Sequence, residues 1–228
     1  MPLTNSKPLT DKVIAFDLDG TLIDTAPDLV AAMNVAMVQA GHPETPTETV
    51  RNLIGLGARA LLLEAHKHHE IPTTEAKLDG LLQGFLDHYA RNLTTYSRPF
   101  AGAISCLQEL KSQGASLTVC TNKPERFTLP ILQALDLGQY FDGVFCPDNV
   151  THKKPDAAHM LASIAPAQPQ NALMIGDSNT DLAAARNAGV GCFLLEHGYS
   201  DTPIGDLGAD LILADFDGLM AAILGHFT

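Results

Sequence analysis

Two hydrophobic periods alternate along the chain, and the change from one to the other divides it. Val13-Ile14-Ala15-Phe16 is an unbroken apolar, β-prone run of the kind that fills a strand buried on both faces. Beyond it, as far as Leu93, the apolar stripes repeat at helical spacing and no strand pattern interrupts them. Leu29, Met33, Ala36, Met37 and Ala40 line one face of a first helix. Pro27 stands near its first turn, Asp24 or Thr25 offers the cap, and Gly41 ends it. Residues 47–54 predict a short second helix closed by Gly55-Leu56-Gly57, and 58–69 a third. A fourth, over 74–93, carries Leu78, Leu81, Leu82, Phe85 and Tyr89, a stripe that reads as core.

From Phe100 the two periods interleave. Helices over 103–113, 125–137, 157–164, 180–188 and 216–224 alternate with strands over 116–120, 143–146, 172–175, 191–195 and 210–213. Pro130 predicts a kink or restart within 125–137. Such alternation specifies an α/β fold, a doubly wound parallel sheet with a Rossmann-like core. The helical stretch is then a small all-helical cap domain inserted after the first strand. The predicted division is 1–25 with 97–228 for the core and 26–96 for the cap, linked near Asp24-Thr25 and Ser97-Pro99.

In such sheets ligands bind at the carboxyl ends of strands. Asp17 and Asp19 stand there, two residues apart, and in an extended segment both carboxylates face one small volume. Gly20 then lets the chain turn. Two adjacent anions repel, and a hard cation such as Mg²⁺ relieves the repulsion. A solitary pair of this kind is equally satisfied in a solvated turn, but three more strand ends are polar. Thr121-Asn122 follows one, His152-Lys153-Lys154-Pro155 lies beyond the next, and Gly176-Asp177-Ser178-Asn179-Thr180-Asp181 closes a third.

Charge sharpens the reading. With 14 basic and 26 acidic residues the formal charge is −12, which argues against nucleic acid or an anionic membrane as the main partner. An anionic substrate therefore needs local cations, and each lysine near the acids matters. The polar start, Met1 to Pro8, lacks the apolar core of a signal peptide, and no uncharged apolar run reaches the roughly 18 residues of a membrane span. A cytoplasmic protein is expected. Cys106, Cys120, Cys146 and Cys192 form no CxxC pair and read as buried free thiols.

Taken together the motifs resemble those of haloacid-dehalogenase-superfamily hydrolases. Asp17-Leu18-Asp19-Gly20-Thr21 matches the first family motif, Thr121 the second, Lys154 the third, and Gly176-Asp177 with Asp181 the fourth. Asp24-Thr25-Ala26-Pro27-Asp28-Leu29, Thr121-Asn122-Lys123-Pro124 and His197-Gly198-Tyr199 resemble the phosphoglycolate phosphatase branch. Family members often carry Lys-Pro-x-Pro, whereas Ala157 replaces the second proline here; the choice of Lys154 over Lys153 rests on that pattern.

The resemblance implies roles. Asp17 is the nucleophile that forms an aspartyl-phosphate, and Asp19 the general acid and base. Mg²⁺ is held by Asp17, Asp19 (through its backbone carbonyl) and Asp177. Thr121, Asn122 and Lys154 bind phosphate oxygens, and Asp181 orients Lys154 or the metal shell. The acid at Asp19 argues against dehalogenation. In the cap, the turn at Gly57 and the side chain of Arg59 are the substrate-binding candidates: Arg59 either pairs with a substrate carboxylate or lies on the surface. His66, His68 and His69 are expected on a solvated helix face. The implied activity is a Mg²⁺-dependent phosphatase of a small phosphorylated metabolite, 2-phosphoglycolate first, from a monomer or homodimer. A sugar-phosphate phosphatase, a phosphomutase and a catalytically silent binding or regulatory protein are the alternatives.

Overall fold

The computed structural model describes residues 7–228, so what the polar start at 1–6 implied lies outside the described residues. The chain opens with β1 (Val13–Phe16) and a two-residue strand β2 (Ile23–Asp24). It then builds the cap from α1 (Ala26–Gln39), α2 (Thr47–Val50), α3 (Ala58–His68) and α4 (Glu75–Arg91). A second short strand, β3 (Arg98–Pro99), returns it to the core. There α5 (Ala103–Ser112), β4 (Ser116–Cys120), α6 (Glu125–Ala134), β5 (Gly143–Phe145), α7 (Ala157–Ile164), β6 (Ala172–Gly176), α8 (Asn179–Ala188), β7 (Gly191–Leu195), β8 (Leu211–Leu213) and α9 (Leu219–His226) alternate.

Six strands form one sheet in the order β5-β4-β1-β6-β7-β8, every pairing parallel. Alternate residues of each strand feed opposite cores, as the pleat requires. Ile14, Phe16, Val119 and Ile175 pack against α5, α6 and α9. Val13, Ala15, Met174 and Leu194 pack against α7 and α8. Both faces are covered, which is why β1, β6 and β7 read as apolar runs. Strand order reverses beside β1: the chain winds outward through β4 and β5, then crosses to β6 on the other side. Such a reversal opens a crevice at the strand ends.

The cap has its own core, in which Met33 and Met37 of α1, Leu61 and Leu62 of α3, and Phe85 and Tyr89 of α4 are buried together. Phe127 and Tyr199 of the core domain enter this cluster and seat the cap on the sheet. The two connections are held side by side. Ile23 pairs with Pro99 and Asp24 with Arg98, antiparallel. The buried carboxylate of Asp28 accepts bonds from the backbone N–H of Tyr96 (3.0 Å) and Ser97 (2.8 Å) and from the Ser97 hydroxyl (2.6 Å).

Several local expectations need correction. The second cap helix covers only α2, and a 3-10 turn continues it through Leu56. α6 runs unbroken past Pro130, with no restart; Pro130 and Arg126, whose carbonyl loses its partner, are both exposed, so water can replace the missing bond. α9 begins at Leu219, after Gly218 at φ +78°. The histidines divide. His68 is exposed, but His66 is buried with Nδ1 2.8 Å from the Leu62 carbonyl, and His69 reaches the Thr45 hydroxyl at 3.2 Å. All four cysteines are free and buried, as expected.

Candidate active site

The polar strand ends converge at this crevice. Asp17 follows β1, and its Oδ1 accepts a 2.7 Å bond from the Leu18 N–H and lies 3.1 Å from Lys154 Nζ. Burial pushes the Asp17 carboxyl up to about 6, against the pull of Lys154 and with Asp181 adding to the rise. Asp177 follows β6, with Oδ1 accepting from the Thr21 hydroxyl (2.7 Å) and Oδ2 from the Tyr199 N–H (2.7 Å). Burial, then Asp181 and Asp17, push Asp177 well above the ordinary carboxylate range.

Asp181 joins this group from the first turn of α8. Its Oδ2 accepts from the N–H and hydroxyl of Ser178, completing a capping box, while its Oδ1 holds Lys154 Nζ at 2.6 Å. Oxygens of Asp17, Asp177 and Asp181 lie within 4.8 Å of one another. Three carboxylates, those of Asp177 and Asp181 buried and that of Asp17 half-buried, this close to one lysine leave surplus negative charge, and hard oxygen donors are what Mg²⁺ takes. The donor set fits that ion. Two glycines keep it open: a Cβ on Gly20, which also has φ +83°, or on Gly198 would strike the Asp177 carboxylate.

Lys154 is set from behind. Burial alone would lower its pKa, but Asp17 and Asp181 hold it above the ordinary lysine value. Its backbone N–H donates to His159 Nδ1 (3.1 Å), whose Nε2 faces the Phe145 carbonyl at 3.0 Å. An acceptor at Nδ1 and a donor at Nε2 define a neutral imidazole, and burial accordingly depresses the His159 pKa.

Asp19 stands apart from the three acids. Its carboxylate accepts from the Thr25 hydroxyl (2.7 Å) and from Lys123 Nζ, 3.0 Å from each oxygen. Lys123 also donates to the Tyr89 hydroxyl of the cap at 2.7 Å. A cavity of about 260 Å³ lies between cap and core, with Asp17, Asp19, Thr121 and Lys123 among its polar lining and Leu29, Ile54, Phe85 and Tyr89 opposite.

The expected residues are therefore sorted. Asp17, Asp19, Thr121, Asn122 and Gly57 line the cavity; Lys154 pairs with Asp17, and the carboxylates of Asp177 and Asp181 cluster beside it. The Asn122 amide ties the loop of Lys154 by donating from Nδ2 to the Lys154 carbonyl at 2.9 Å, and keeps its second N–H. Arg59 does not line the cavity. The acidic pair Glu75 and Asp79, one turn apart on α4, captures its guanidinium on the surface and raises its pKa. Sequence reasoning assigned no role to Lys123, His159, Thr21 or Tyr199, and read Tyr89 only as core. Lys123 and Tyr199 stood within motifs recognised only as branch signatures, and nothing local marks His159.

Residues 14–195 match the family model of haloacid dehalogenase-like hydrolases. The chain is 40% identical over 220 residues to the phosphoglycolate phosphatase of Agrobacterium fabrum, covering 96% of this chain and 94% of that one. It is 41% identical over 210 residues to the phosphoglycolate phosphatase of Caulobacter vibrioides, covering 91% and 89%. Its fold is similar to a crystal structure of a predicted phosphoglycolate phosphatase from Haemophilus somnus, with TM-score 0.85 at 32% identity over 93% of this chain and 97% of that one.

Proposed function

The chain belongs to the haloacid dehalogenase-like hydrolase family, and we propose that within it the protein is a Mg²⁺-dependent phosphatase acting on 2-phosphoglycolate. It is a phosphoric monoester hydrolase. The observation that carries the finer reading is the separation of two acids in one small cavity: Asp17 beside Lys154, and Asp19 beside Lys123.

In this reading Asp17 attacks phosphorus, and the ester P–O bond breaks as the Asp17–phosphorus bond forms. Asp19 gives its proton to the departing alkoxide. A water then loses a proton to Asp19 and attacks the aspartyl-phosphate, which releases inorganic phosphate and restores Asp17. Lys154 and the Thr121 hydroxyl meet charge on the equatorial oxygens. Asp181 keeps Lys154 aimed at Asp17, and Asn122 fixes the loop that carries it. Asp17, Asp177 and the backbone carbonyl of Asp19 would hold Mg²⁺, which when bound neutralises phosphate charge and relieves the repulsion among the acids.

The test is phosphate release from a panel of phosphorylated metabolites with Mg²⁺, wild type against Asp17→Asn. Preference for 2-phosphoglycolate, lost in the variant, is expected. Sugar-phosphate preference would overturn the substrate, an isomeric phosphate product would make the protein a mutase, and no turnover at all would make it a silent binder. Activity surviving in Asp17→Asn would sink the mechanism.

A further inference from the structure

The charged side chains around the cavity are Asp17, Asp19, Lys123 and Arg126. Lys123 is committed to Asp19 and Tyr89, and Lys154, behind Asp17, is shared between Asp17 and Asp181. In the cap, Arg51 is paired with Asp24 and Arg59 with Glu75 and Asp79. Arg126 differs from all of these: among the described residues no carboxylate pairs with it. Its neighbour Glu125 is occupied elsewhere, accepting a 3.0 Å bond from the Asn149 side chain.

The guanidinium carbon of Arg126 sits 4.6 Å from the centre of the Phe127 ring, another lining residue, so its planar group has a rigid surface to rest on. It also belongs to the first turn of α6, where the helix dipole disfavours a cation and an anion brought to it relieves the strain. Away from the phosphate-facing Thr121 and Asn122, the wall is largely apolar, with Leu29, Ile54, Phe85 and Leu86, and the Tyr89 hydroxyl there is already bonded to Lys123. Sugar hydroxyls against such a wall would go unpaired, whereas a second anion has one partner available.

We propose that Arg126 is the specificity-determining residue of this phosphatase, binding a carboxylate carried close to the phosphate ester. The substrate class is a short phosphorylated hydroxy acid, its phosphate on Asp17, Thr121 and Lys154 and its carboxylate held by the two-pronged guanidinium. This rests on the phosphatase reading above and gives to Arg126 the role that sequence had offered to Arg59.

The experiment compares kcat and KM for 2-phosphoglycolate and for 2-hydroxyethyl phosphate, which lacks the carboxylate, in wild type, Arg126→Gln and Arg126→Lys. Arg126 is exposed, so folding is not at stake. In wild type, kcat/KM for 2-phosphoglycolate is expected to be roughly 100-fold higher. Arg126→Gln should lose about 30-fold on 2-phosphoglycolate, chiefly in KM, as when one partner of a charged pair is removed. Its 2-hydroxyethyl phosphate kinetics should stay within about two-fold, and Arg126→Lys should recover part of the loss. A wild-type preference that survives in Arg126→Gln overturns the role of Arg126 while the phosphoglycolate reading stands. No preference in wild type overturns both.

Discussion

The Tyr89 hydroxyl of the cap accepts a 2.7 Å hydrogen bond from Lys123 of the core, and the same ammonium lies 3.0 Å from both oxygens of Asp19. The Lys123 side chain is only 4% exposed and also sits 4.8 Å from the centre of the Tyr89 ring. Seating the cap and holding the proposed acid–base group are thus one network. Tyr89→Phe keeps the ring in its pocket and removes only the hydroxyl. Loss of one bond to a charged group is worth about 1.5–3 kcal/mol. Under the proposed mechanism, kcat should fall on the order of 10-fold, with a smaller change in KM. Steady-state kinetics check this; a lower melting temperature with unchanged kcat would make the contact purely structural.

Asp181 touches no cavity surface, yet it holds Lys154 at 2.6 Å. Asp181→Asn leaves Asp17 as the one carboxylate paired with Lys154, with at most a neutral amide oxygen in place of the second anion, so the lysine is held less firmly. The expected loss in kcat is on the order of 10²-fold, against at least about 10³-fold for Asp17→Asn, which removes the nucleophile itself. Equal losses in the two variants would mean that Asp181 does more than orient.

Gly198 is required by contact rather than by backbone conformation, since a Cβ there would overlap the Asp177 carboxylate. Gly198→Ala should displace Asp177, weaken Mg²⁺ activation by roughly 10-fold or more, and shrink the rise in melting temperature that added Mg²⁺ gives wild type. Unaltered metal dependence would show that Asp177 is not a ligand.

What the sequence revealed follows from range. The sheet was legible because both its faces are covered, so β1, β6 and β7 carry short apolar runs and β4 is rich in β-prone residues. Asp17, Asp19, Thr121 and Asp177 were legible because each sits at a strand's end, where topology alone delivers it. β2 and β3 were not, because two residues carry no period. Neither was the bond between Tyr89 and Lys123, 34 positions apart, nor that between Thr21 and Asp177, 156 apart. The choice between the two readings of Arg59 was hidden for a related reason: its acidic captors, Glu75 and Asp79, lie on a different helix.

His159 supplies a pH dependence whose sign is determined. Its ring is fully buried between the Lys154 N–H and the Phe145 carbonyl, and burial, aided by the charge of Lys154, lowers its pKa below the ordinary 6.5. The unfolded chain therefore takes up the proton first as pH falls. The stability that the neutral ring contributes is complete above about pH 6.5 and declines below it, at no more than about 1.4 kcal/mol per pH unit. Asp17 acts in the opposite direction in metal-free protein. Its pKa is raised to about 6, so its contribution is lost as pH rises through that value. The difference between wild type and His159→Gln, measured by thermal unfolding from pH 5 to 8, isolates the histidine. The variant should be destabilised most at pH 8, with the gap narrowing towards pH 5. A gap that widens on acidification would mean that the folded protein holds His159 protonated.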